Sequence, residues 1–62
     1  MAGDEDPDVE RVARRMIDRY GREAATMAER RARELLVEGN RFAHDLWREV
    51  ADTVRRRQGD RA

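Results

Sequence analysis

At 62 residues the chain is one domain at most, in the size range where a lone hydrophobic core is marginal. Its 14 basic residues are all arginine and are matched by 14 acidic ones, so the formal net charge is zero; a generic coat for nucleic acid or a membrane surface would need net positive charge. With no cysteine, disulfides, thiolate metal sites and thiol nucleophiles are excluded.

Met1 to Asp6 reads as a flexible acidic lead-in carrying Asp4, Glu5 and Asp6. Asp6-Pro7-Asp8 then opens a helix. Asp6 can accept backbone N–H groups as the N-cap, and Pro7 at the first helical position gives up no donor the helix would use. Asp8 and Glu10 add negative charge at the positive end of the helix dipole. Apolar residues follow at Val9, Val12, Ala13, Met16, Ile17, Tyr20, Ala24, Met27, Ala28, Ala32, Leu35 and Leu36. These steps of three and four are the helical period, and no proline interrupts them, so one helix is predicted over residues 7–38.

Gly39 suits the left-handed position that ends a helix, and Asn40 suits the N-cap that starts the next. Phe42, Ala43, Leu46, Trp47, Val50, Ala51 and Val54 carry a second helix over 41–57. Arg55, Arg56 and Arg57 stand at its negative end, and Gly59 closes it. Residues 58–62 read as a flexible C-terminus.

The predicted fold class is therefore all-α, an antiparallel two-helix hairpin with a long first helix, because so short a connection turns the second helix back on the first. A turn at 39–40 pairs positions whose numbers sum to about 79. Ala28 then meets Val50 and Ala51, and Ala24 and Ala25 meet Val54. Alanines against larger side chains let the two axes approach closely.

The predicted arms are unequal, ~48 Å against ~25 Å at the helical rise. The second runs out near Gly21, which leaves Val9, Val12, Ala13, Met16, Ile17 and Tyr20 without an intrachain partner. Such a stripe could stay exposed, which on a soluble monomer marks an interface. The chain could instead bend at Gly21 and fold its first segment back as a third helix. Or the stripe could pack on another copy or another protein. Helix–helix connections generally need ~2–8 residues, and Tyr20-Gly21-Arg22 offers barely one. The expectation is thus a homodimer that completes a four-helix bundle, or a protein partner, with the Val9–Tyr20 stripe as the interface.

Arg11, Arg15, Arg19 and Arg22 share a helix face, and together with Arg55, Arg56 and Arg57 they are the residues that could hold nucleic-acid phosphates. Acid-before-base pairs four residues apart (Glu10–Arg14, Asp18–Arg22, Glu29–Arg33, Asp52–Arg56) favour a solvated, self-paired face instead. Trp47 lies in the apolar stripe, where packing is a better reading than base stacking. His44 is the sole histidine and cannot build a metal site alone, and no serine is present to act as its nucleophile. Glu34–Glu38 and Asp45–Glu49 fall on polar faces, and the Glu-x-x-His of di-iron bundles is absent. Neither a phosphate loop nor a dinucleotide fingerprint occurs. No apolar run approaches the ~20 residues of a membrane span or the ~7–15 of a signal-peptide core. These readings together predict a cytoplasmic, non-enzymatic interaction module with no cofactor, metal, membrane contact or small-molecule substrate; a small RNA- or DNA-binding regulator is the alternative.

The string Ala13-Arg14-Arg15-Met16-Ile17-Asp18-Arg19-Tyr20-Gly21, followed by Ala24, Ala28, Arg31-Ala32 and Glu34-Leu35, resembles a family of short uncharacterised proteins common in alphaproteobacteria. Gly39-Asn40, Trp47-Arg48, Val50 and Val54 extend the likeness over roughly residues 9–54. The resemblance implies an α-hairpin fold and, since the family is a domain of unknown function, no particular activity. By architecture alone the hairpin is also similar to small plasmid-encoded RNA-binding proteins that dimerise into four-helix bundles, although those have near-equal helices.

Overall fold

The computed structural model describes residues 7–59. The acidic lead-in at 1–6, including Asp6 expected as the N-cap, and the tail residues 60–62 lie outside the described residues. Apart from Asn40, the described residues are helix or turn: α1 spans Pro7–Tyr20, a single 3-10 turn covers Gly21–Glu23, α2 spans Ala24–Val37 and α3 spans Arg41–Arg57.

The α2–α3 hairpin is built at its turn by local hydrogen bonds. Gly39 takes a left-handed φ of 84°. Its N–H donates to the Leu36 carbonyl at 3.0 Å, while the Asn40 N–H donates to the Leu35 carbonyl at 2.9 Å. That crossed pair is a Schellman closure, which satisfies the last carbonyls of α2. Asn40 immediately begins α3, with its side-chain oxygen accepting from the Ala43 N–H at 3.1 Å. Two residues thus end one helix and start another, so the helices can only return antiparallel.

Between the arms lies a seam of small residues. Ala24, Ala28, Ala32 and Leu35 on α2 are buried, as are Val50, Ala51, Thr53 and Val54 on α3. A helix that presents alanine can approach its neighbour closely enough to enclose valine fully, and Val50 and Val54 are the largest side chains shut away completely.

The single long helix predicted over 7–38 is not what the chain forms. It breaks at Gly21, whose φ is 57°, a conformation glycine adopts without the steric cost other residues incur. Past the 3-10 turn the direction changes, and α1 lies back against both α3 and α2. Val9 and Ala13 enter the same core as Ala24, Ala28, Val50, Ala51 and Val54. The physical reason is burial. A straight helix would leave Val9 and Ala13 in water, whereas the bend covers them within one chain at the cost of a few helical hydrogen bonds.

Side-chain contacts from the end of α3 help hold the fold-back. Arg57 donates from Nε and Nη2 to one Glu10 carboxylate oxygen, at 3.2 and 2.9 Å. Gln58 donates from Nε2 to the Gly21 carbonyl at 2.8 Å. Gln58, assigned to the C-terminal tail, caps α3, and Gly59 closes it as its position predicts. The Gln58 N–H donates to the Val54 carbonyl at 2.9 Å, and Gly59 turns left-handed at φ 73°.

Candidate functional site

The stripe expected to form an interface is divided by the bend at Gly21. Val9 and Ala13 are buried, Ala13 completely, so neither is available to a partner in this conformation. Val12, Met16 and Ile17 are partly covered by the core, and Tyr20 remains 39% exposed. The prediction of an unpartnered stripe is corrected accordingly: its inner edge is occupied by the chain's own α2 and α3.

What remains at the outer edge is a shallow apolar concavity where the helices meet. Val12, Met16 and Tyr20 from α1 line it together with Trp47 from α3. Met27 of α2 continues it beyond Met16, Tyr20 and Trp47. Methionine and aromatic side chains give such a surface both area and adaptability. Its rim is largely basic, with Arg15 and Arg19 on one side and Arg30 and Arg31 on the other. Asp18 and Glu34 interrupt that rim, and Glu34 pairs with Arg31 at 3.3 Å.

A second apolar surface sits at the hairpin tip and was not expected. Val37 is 83% and Phe42 81% exposed, with Leu36 beside them about half exposed. The helical period places Phe42 in the apolar stripe of α3, but the structure turns it outward. The signal was available: Leu35, Leu36 and Val37 are consecutive, and three successive helical positions cannot all face one side. Phe42 is level with Val37 in the hairpin register, so both stand on the face that Leu35 leaves outside.

The arginines predicted as an anion site are dispersed. Arg11, Arg15, Arg19 and Arg22 are all exposed. Arg55 instead pairs with Glu29 and lies 3.6 Å from Asp52, while Arg57 is held by Glu10. Among the described residues Arg56 makes no ion pair, and it borders a hollow shared with Glu10, Thr53 and Arg57. The acids Glu10 and Glu29 therefore reach across to another helix rather than four residues along their own. Two cations of the expected cluster are already neutralised by carboxylates, which leaves α1 and the concavity rim as the basic surface.

His44 is mostly covered, with Nδ1 2.9 Å from an Asp45 carboxylate oxygen. Leu36, Ala32 and Arg48 border the same hollow between α2 and α3. Among the described residues there is no group of three or more histidine, cysteine or carboxylate side chains able to hold a metal ion. No described helix is long and apolar enough to cross a membrane. No protein-family model, curated protein or solved structure matches the chain, so its resemblance to the short helical-hairpin family rests on the residues quoted above alone.

Proposed function

We propose that the protein is a cytoplasmic, non-enzymatic interaction module that self-associates as a homodimer through the concavity around Trp47. One observation carries this reading: the chain's own fold leaves Met16, Tyr20, Met27 and Trp47 together in a half-covered apolar hollow. Contiguous apolar surface rimmed by polar residues is the form a protein contact takes. Aromatic residues and arginine, both present there, are the types enriched at such contacts. A small core gains stability by adding surface from a second chain, and a four-helix bundle results where α1 and α2 of each chain run on as one helix beside α3.

Sedimentation velocity over a dilution series tests the proposal. Wild type is expected to be a dimer that dissociates on dilution. Met16→Glu with Tyr20→Glu is expected to be monomeric at every concentration, with the far-UV circular dichroism of wild type. A wild-type monomer throughout overturns self-association. A dimer that survives the double change moves the contact elsewhere, with the Leu36, Val37 and Phe42 tip as the next surface to alter.

A second reading has its own observation: Arg15, Arg19, Arg30 and Arg31 flank the two aromatic rings Tyr20 and Trp47. Cations beside stacking surfaces are what single-stranded RNA or DNA engages. That reading requires affinity that falls steeply with salt. Unchanged Trp47 fluorescence on adding an oligonucleotide at low salt removes it.

A further inference from the structure

We infer that α1 is an exchangeable arm, which opens at Gly21–Glu23 and docks on the α2–α3 hairpin of a second copy while that copy's α1 docks back. The inference rests on the self-association proposed above and specifies which surface the second chain occupies.

The receptor for α1 is made only of other elements. Val9 and Ala13 are enclosed by Ala24, Ala28, Val50, Ala51 and Val54, all on α2 and α3. An identical α1 arriving from a second chain meets the same side chains, so exchange rebuilds the core rather than sacrificing it. The Glu10–Arg57 ion pair re-forms between the chains in the same way.

The hinge is short, and one residue carries its left-handed turn. Three residues separate α1 from α2, and short hinge loops are the segments that invite exchange of an element between identical protomers. A Cβ placed on Gly21 would meet nothing within 4 Å, so the positive φ of 57° is all that forbids a side chain there. Opening also leaves the backbone satisfied. In the bend the Gly21 carbonyl accepts from the Ala24 N–H and from the Gln58 side chain; in a continuous helix it accepts from the residue four positions on, and Gln58, already exposed, returns to water.

The sequence is compatible with the open form along its whole length. Ile17, Tyr20, Ala24 and Ala28 continue the three- and four-residue steps across Gly21 without a phase shift. A continuous α1–α2 helix therefore keeps one apolar stripe. Two such helices related by a two-fold axis near the hinge bring Tyr20 and Met16 of each chain toward their counterparts. These are the side chains that the closed chain leaves half covered.

Isotope-filtered nuclear Overhauser spectroscopy on a dimer refolded from equal parts of 13C-labelled and unlabelled protein decides the matter. Exchange predicts interchain contacts from the Val9 and Ala13 methyls to those of Val50 and Val54. A dimer in which those contacts are only intrachain overturns exchange and leaves self-association standing. Gly21→Ala supplies a second readout, because alanine disfavours the left-handed bend and accepts the helix. It is expected to lower the dimer dissociation constant by roughly tenfold or more. An unchanged or raised constant contradicts the hinge assignment. If wild type and Gly21→Ala both remain monomeric at the concentrations used for spectroscopy, exchange and self-association fall together.

Discussion

The α2–α3 hairpin and the α1 arm are both amphipathic helix, yet they are held by different means. The hairpin is specified where it turns, by the crossed hydrogen bonds around Gly39 and the Asn40 cap, and it encloses Val50 and Val54 completely. The α1 arm meets α2 through a three-residue corner. Val9 and Ala13 are its buried residues, and the Arg57–Glu10 ion pair and the Gln58 hydrogen bond to the Gly21 carbonyl are among the contacts that tie it down. The difference teaches that the hairpin is fixed by hydrogen bonds within its own turn, whereas the placing of α1 depends on contacts with residues distant in sequence. Elements with few buried contacts are the ones that open first in native-state fluctuations.

The largest expected effect lies in the hairpin. Val50→Asp places a carboxylate where no atom of the side chain now meets water. The cost is several kcal/mol, against a total stability of roughly 3–9 kcal/mol for a chain of this length. Loss of the cooperative thermal transition is expected, and retention of a wild-type melting curve would show that the α2–α3 seam is not the centre of the core. Asn40→Ala comes next. Removing the oxygen that accepts the Ala43 N–H is expected to lower global stability by about 1 kcal/mol, measured by urea denaturation with an unchanged slope.

The smallest effect separates the two regions most cleanly. Glu10→Gln removes one partner of the Arg57 contact, whose members are both partly solvated. The expected cost is below about 1 kcal/mol and diminishes further with added salt. Amide hydrogen exchange should show faster exchange along α1 with little change along α2 and α3. Uniform acceleration through all three helices would mean that α1 does not open separately, and the contrast drawn between the two regions would fail.

Much of the hairpin was legible from local chemistry. A glycine followed by asparagine, between runs of helical period, marks a stop and a start because the groups concerned lie within six residues of one another. The alanine-against-valine seam followed from counting outward from that turn. Gly21 was harder to read. It is a left-handed helix terminator like Gly39 and Gly59, but the apolar period runs through it unbroken, and a glycine inside a helix costs only about 1 kcal/mol. The exposure of Phe42 has a related cause. Periodicity shows which residues share a face, and at the hairpin tip there is no opposing chain left to cover that face.

The sequence by itself determined that this protein is helical, where its hairpin turns and which alanines let the arms close, because capping and period depend on near neighbours. Only the tertiary structure decided that the first helical arm breaks at Gly21, that Val9 and Ala13 lie inside while Phe42 lies outside, and that Arg55 and Arg57 meet acids on other helices. The straight and bent forms of the first arm differ locally by little. The contact of Val9 and Ala13 with Val50 and Val54, some forty residues away, settles between them, and a contact of that separation leaves no mark on the local pattern.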